Sequence, residues 1–327
     1  MKMRTAIVGL GKMGLLHASI LSTFPNIQIV ALCDKSKLIT KFAKKIFEKI
    51  KIVNSVELLR DFDLDVIYVT TPIPSHFKIV EMVYSYGIAH NVFVEKTLAS
   101  SSVEASKLCQ LAQTSDGAHM VGYERRYAVT FNKAQELIHQ GVIGDLISFK
   151  AYAYSSDFIG LKDEKAVKVS ASRGGLLRDL CAHAVDLALW YFGDLRVISS
   201  ELKCKHNTGF EDAVKFTVRG VDDLKGCIEA SWCMEGYRMP EAGLTIEGSK
   251  GVLHVSDDKV EFRNTAGSLI KWHRHDLKDD VEFLLGAPEY YRESKHFIES
   301  AVKGSSREPS FFTASKVEQI IDQVKKS

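Results

Sequence analysis

With 327 residues, 46% of them hydrophobic and 26% charged, the chain is long enough for two domains with separate cores and too apolar for a disordered protein. Its 43 Lys+Arg against 41 Asp+Glu give a formal net charge of +2 without a long block of like charges, which argues against a nucleic-acid partner; the basic stretch Lys41 to Lys51 alternates with Phe42, Ile46, Phe47 and Ile50 and reads as a solvated helix face. No apolar run reaches membrane-spanning length, and the start, Met1-Lys2-Met3-Arg4, lacks the apolar region and cleavage site of a signal peptide, so a cytoplasmic protein with no membrane partner is expected. Cys33, Cys109, Cys181, Cys204, Cys227 and Cys233 form neither a C-x-x-C pair nor a Cys/His cluster at zinc spacing; free thiols and no metal site are expected.

In chain order, Thr5 to Val8, Gln28 to Cys33, Val66 to Thr70 and Val92 to Val94 read as strands, and residues 12–24, 35–47, 76–86 and 100–115 as helices. This alternation over residues 1–122 predicts a doubly wound parallel sheet. The texture then changes. A helix over about 128–140 leads to a strand, Leu146 to Tyr154, followed by an irregular stretch to Gly175 and a buried helix to Phe192. The segments 197–204, 213–219, 226–232, 243–247, 252–256, 259–263 and 268–272 read as strands joined by short turns, with helices over 289–303 and 313–325 at the end. Residues 123–327 are therefore expected to form an α+β domain with a large, mostly antiparallel open sheet.

Gly9-Leu10-Gly11-Lys12-Met13-Gly14 lies between the first strand and the first helix. The first glycine suits a tight turn, the second lets backbone approach a pyrophosphate, and the third lets helix and strand pack closely; the phosphates then sit on the helix N-terminus. Asp34 ends the second strand about 20 residues on, where a carboxylate accepts hydrogen bonds from both adenosine ribose hydroxyls. That favours NAD, since Asp34 repels a 2′-phosphate, although Lys35 and Lys37 leave NADP open. Turn glycines followed by a helix-capping aspartate fit the same residues. Two further loops, Thr70-Thr71-Pro72-Ile73-Pro74-Ser75-His76 and Glu95-Lys96-Thr97, fall at carboxyl ends of strands, where open α/β sheets bind ligands; for Glu95 and Lys96 a surface ion pair is the alternative.

With Tyr123-Glu124-Arg125-Arg126-Tyr127 and the run from Gly174-Gly175 through Asp179 and His183 to Asp186, these motifs resemble the glucose–fructose oxidoreductase/inositol dehydrogenase (Gfo/Idh/MocA) family. The resemblance spans roughly residues 5–127 and 170–193, and beyond 200 it rests on strand pattern. Members usually have Pro where this chain carries Thr97, and Ala171-Ser172-Arg173 looks like an insertion that alters the pocket wall. At about 100° per residue on a helix, Asp179, His183 and Asp186 fall within an arc of roughly 60° on an otherwise apolar helix, a stripe that needs partners or a task. A capping Asp179, an interior His183 and a salt-bridged Asp186 would also satisfy it.

The resemblance implies a dehydrogenase acting on a sugar, inositol or other polyol. Gly9, Gly11, Lys12, Met13, Gly14, Asp34, Thr70, Thr71, Pro72, His76, Glu95 and Lys96 would bind the cofactor. His183 would be the base, and Asp179 would orient it or bind a neighbouring hydroxyl. Lys96 would donate to the reacting oxygen. Arg126 and Asp186, with Asp157 and Tyr237, would bind substrate. A nucleotide-sugar dehydrogenase, a glycosidase using NAD transiently and a non-catalytic dinucleotide-binding regulator remain alternatives. An S-adenosylmethionine methyltransferase is a distant fourth alternative, since its glycine loop is not normally followed by a Glu-Lys loop and such a second domain. One face of the antiparallel sheet is expected to be covered by a second copy, in a homodimer or homotetramer.

Overall fold

Strands β1 (Met3–Val8), β2 (Ile27–Cys33), β3 (Lys51–Val53), β4 (Leu64–Val69), β5 (Ala89–Glu95) and β6 (His119–Gly122) form one sheet in the order β3-β2-β1-β4-β5-β6. Every pairing in it is parallel. Because helices cover both faces of such a sheet, its central strands carry continuous buried apolar runs, Ala6 to Val8, Val66 to Val69 and Val92 to Val94. The connections run through α1 (Lys12–Ser22), α2 (Lys37–Ile46), α3 (His76–Ser85) and α4 (Ser102–Gln113). Ser36 and Ser101 start α2 and α4 by accepting from the Ile39 and Glu104 N–H groups. The strand order reverses between β1 and β4, so the loops after these two strands lie at the switch point where such sheets take ligands.

This computed structural model describes residues 2–204, 211–279, 281 and 287–326. It divides into two units, Met1–Gly122 with Tyr290–Glu318, and Tyr123–Glu289 with Gln319–Ser327. The sequence reading kept residues 290–318 in the second domain; here they group with the first sheet, and Phe297 of α8 (Glu289–Lys303) packs on Tyr68 and Phe93.

In the second unit, α5 (Val129–His139) precedes β7 (Leu146–Tyr154), and the stretch expected to be irregular contains a helix, α6 (Asp163–Arg173). A π-helical turn, Leu177–Cys181, runs directly into α7 (Ala182–Phe192). Seven more strands follow: β8 (Arg196–Lys203), β9 (Ala213–Arg219), β10 (Lys225–Ser231), β11 (Glu241–Gly248), β12 (Gly251–Ser256), β13 (Lys259–Asn264) and β14 (Leu269–His273). With β7 they make an eight-stranded sheet ordered β14-β13-β12-β11-β7-β10-β9-β8, antiparallel except for β7 against β10. The buried helix α7 lies on one face, where Phe192 stacks on Phe149 at 4.1 Å. The last helix is α9 (Phe311–Val324). Cys33, Cys109, Cys181 and Cys227 are free thiols, and no helix among the described residues is long and apolar enough to cross a membrane.

Candidate active site

The glycine loop is built as a dinucleotide requires. Gly9 has φ +96°, and a Cβ there would press on Thr71 at 2.8 Å; a Cβ on Gly14 would lie 1.8 Å from the Gly9 carbonyl oxygen. At Gly11 a Cβ would meet nothing within 4 Å, so that backbone is open to a ligand. Gly11 also begins α1 without a side-chain cap, which leaves the N–H groups around Lys12 and Met13 available to phosphate oxygens. The Asp34 carboxylate accepts from Leu10 N–H at 2.9 Å and Ser36 N–H at 2.8 Å, fixing it beside the loop with lone pairs left for ribose hydroxyls.

Thr70 and His76 tie the loops at this end of the sheet to one another. The Thr70 hydroxyl donates to the Gly9 carbonyl at 2.8 Å, tying the end of β4 to the glycine loop. Both ring nitrogens of His76 face backbone carbonyls, Nδ1 that of Thr97 at 2.7 Å and Nε2 that of Thr71 at 2.6 Å, so the imidazole staples these two loops together. Burial pulls the His76 pKa down, against the carbonyls and Glu95, which favour the cation. Glu95 lies in the interior: Oε1 is 2.8 Å from His17 Nε2, and Oε2 accepts from the Lys96 N–H at 3.2 Å. The lysine loop is thus anchored from below by a histidine that the sequence reading passed over. Its signal was a lone imidazole on the buried face of α1 with Gly14, Ala18 and Leu21. His17, Glu95 and Glu293 each bring one ligand-type atom within 4.8 Å of the others, the one such group among the described residues. The peptide bond between Lys96 and Thr97, the residue that replaces the usual proline, is cis.

In the second unit, His183 opens α7 just after the π turn and is 8% exposed. Its Nδ1 lies 3.8 Å from Glu124 Oε1, beyond hydrogen-bond range, and that oxygen accepts from Arg125 at 2.7 Å. Arg125 in turn grips both oxygens of Asp257, at 3.1 and 3.2 Å. Arg126 and Asp186, both expected to bind substrate, hold each other in a buried two-pronged ion pair with a shortest contact of 2.6 Å. Asp179 lies within the π turn, so its spacing to His183 and Asp186 does not follow a constant 100° step. Asp157 and Asp179 are brought together by Arg173, which the sequence reading had marked only as part of an insertion. Tyr237 packs edge-on against Tyr154 at 5.3 Å, and its carbonyl accepts from the N–H of Ser156, next to Asp157, at 2.7 Å.

Residues 3–123 match the family model described as an oxidoreductase family with an NAD-binding Rossmann fold, and residues 131–254 match the GFO/IDH/MocA C-terminal domain. The chain belongs to the Gfo/Idh/MocA family. An inositol 2-dehydrogenase of Rhizobium meliloti is 22% identical over 95% of this chain and 92% of its own length. The oxidoreductase P35 of Formosa agariphila is 27% identical over 70% and 71%, respectively. Among solved structures, levoglucosan dehydrogenase with NADH superposes with a TM-score of 0.87 at 18% identity, covering 100% of this chain and 96% of that one. The same enzyme has also been solved with NADH and levoglucosan and with NADH and L-sorbose. Like other Gfo/Idh/MocA proteins, this one is an NAD-binding oxidoreductase, and its first unit supplies the nucleotide loop described above.

Proposed function

We propose that this protein oxidises a secondary hydroxyl of an uncharged sugar, inositol or related polyol, using NAD in preference to NADP. The observation that carries the reading is the polar group assembled in the second unit: a nearly buried imidazole at His183, with Glu124 at 3.8 Å, in a segment that also presents Asp179 and Arg173. Such a mixture of base, acceptors and donors suits a molecule with several hydroxyl groups. The names of the relatives, inositol and levoglucosan dehydrogenases, support the same class.

The nicotinamide supplies the hydride acceptor when NAD is bound. In the second unit His183 takes the hydroxyl proton on a ring nitrogen and Asp179 holds a neighbouring hydroxyl; Lys96, on the lysine loop of the first unit, is the candidate donor for stabilising developing negative charge. Glu95 and His17 position the lysine loop by holding its backbone. Arg126 and Asp186 shape the wall as a closed ion pair, and Asp34 reads the ribose.

A nicotinamide absorbance screen tests this against inositols, levoglucosan, L-sorbose, aldoses and nucleotide sugars, each with NAD and with NADP. Net NADH formation with a neutral polyol, and weaker response with NADP, is expected. Turnover of nucleotide sugars alone would replace the substrate class, and glycoside cleavage without net NADH would replace the reaction.

A further inference from the structure

Arg173 is the last residue of α6, which Gly174 ends in a left-handed turn at φ +83°. Gly175 follows at φ +86°, and its carbonyl accepts from the Asp179 N–H at 2.9 Å as the next helical segment begins. Two consecutive left-handed residues reverse the chain, a conformation that side chains other than glycine's rarely adopt. Six positions apart, Arg173 and Asp179 are thereby set face to face.

The contacts are lopsided. One guanidinium nitrogen, Nη1, makes both ion pairs, at 2.6 Å to Asp157 Oδ2 and 3.4 Å to Asp179 Oδ2. Nε–H and the two N–H bonds of Nη2 meet no hydrogen-bond partner among the described residues, and the side chain is 39% exposed. A guanidinium has five donors in a planar fork, so the outward part of this fork is presented to solvent beside two carboxylates. A structural clasp between two aspartates would be expected to use both prongs.

We propose that Arg173 contacts the substrate, forming with Asp157 and Asp179 a clamp for two adjacent hydroxyl groups of an uncharged polyol. One hydroxyl oxygen accepts from the outward fork, and its neighbour donates to a carboxylate. A phosphate or carboxylate on the same hydroxyls would have to approach the Asp157 and Asp179 carboxylates as well as the guanidinium, which disfavours charged counterparts. The inference rests on the polyol reading above and narrows it to neutral vicinal diols.

The test uses the full chain with NAD and three variants of one substrate: the polyol that turns over fastest, its analogue lacking one adjacent hydroxyl, and its phosphate ester. Arg173→Gln is expected to raise KM for the polyol about 10- to 100-fold, with kcat within about threefold and NAD affinity unchanged, because a charged hydrogen bond is lost. The preference for the polyol over its deoxy analogue should fall by a similar factor, and Arg173→Lys should restore part of it. A merely structural Arg173 would weaken polyol and deoxy analogue alike, and that result, or an unchanged KM, overturns the clamp while leaving the dehydrogenase reading intact. Preference of the unmodified protein for the phosphate ester also overturns it. If the unmodified protein neither oxidises any polyol nor binds one by calorimetry with NADH present, the polyol reading fails and the clamp fails with it.

Discussion

His183 is held where its protonation state matters: nearly buried, 3.8 Å from Glu124 Oε1, in a train of charge that continues through Arg125 to Asp257. If it is the base, His183→Ala should leave NAD affinity almost unchanged while turnover falls roughly 10²–10⁴-fold, the range for losing a positioned acid–base group. Lys96→Met should cost a comparable factor, and the double variant less than the product of the two if both act on one oxygen. Steady-state rates and cofactor titrations on the three variants measure this. A folded His183→Ala protein keeping more than about a third of its activity would move the base elsewhere, with Asp179 next. His183, Lys96 and Asp34 were legible because each sits in a local motif. The partnerships were not: Arg126 and Asp186 are 60 residues apart and Arg125 and Asp257 are 132 apart, and nothing in a one-dimensional pattern says which buried charges satisfy each other. This is why Arg126 and Asp186 read as separate candidate ligands, with no sign in the sequence that they also pair with each other.

Long, strongly periodic elements followed the sequence pattern, whereas β3, with three residues, and β6, with four, are too short to show a period. Helix α6 was missed for another reason. Only Ala166 and Ser170 on it are buried, one turn apart, so it has no apolar stripe; its marks are Asp163 and Glu164 in the first turn and the left-handed Gly174. The π turn is invisible to any wheel drawn at one constant angle. Short β6 nevertheless carries a pH-sensitive contact. His119 Nδ1 lies 2.9 Å from the Tyr84 hydroxyl and Nε2 lies 3.3 Å from the Ser115 carbonyl, an arrangement that fits a neutral ring donating from Nε2 and accepting on Nδ1. Burial lowers the His119 pKa below its usual value, and burial also raises that of Tyr84, keeping the phenol a donor. A folded-state pKa below the unfolded one means that the unfolded chain binds the proton more readily. The stabilising contribution is therefore full above the unfolded value of about 6.5 and is lost as pH falls through the lower folded value. Denaturation midpoints measured from about pH 7.5 down to 5 should fall, and His119→Gln, which has no proton to gain there, should show a shallower decline over the same window. Parallel slopes for the two proteins would remove His119 as the cause.

On the scale of the whole molecule, the eight-stranded sheet has two unlike faces. Phe149, Ala151 and Ala153 of β7 point toward α7, while Lys150, Tyr152 and Tyr154 alternate onto the other face. There Tyr152 stacks on Tyr154 at 4.9 Å and lies parallel to His254 at 6.3 Å. Around this aromatic row, Glu229 pairs with Lys150 at 2.8 Å and Lys215 at 3.0 Å; burial opposes its ionisation, but hydrogen bonds from Lys150, Tyr154 and Lys215 bring its pKa down to about 2. Tyr152 and Tyr154 are themselves only 7% and 8% exposed, so what this face offers a partner is its polar surround, Lys150 and Lys215 with Glu229, Thr245 and His254. A two-fold contact also matches the face to itself with its charges already balanced. We expect a homodimer, or a tetramer built from such dimers, in which this face covers its own copy over an area on the order of 1,600 Å² in total. Thr245, on central strand β11 and opposite His254 in the ladder, belongs to this face and not to the side of Leu244 and Ile246, so a longer charged side chain there intrudes on the contact without entering the core. Light scattering at micromolar concentration should therefore give a multiple of the 36.5 kDa chain for the unmodified protein and the single chain for Thr245→Arg, with circular dichroism and NAD affinity unchanged in the variant. A monomeric unmodified protein would leave this face to solvent and end the proposal.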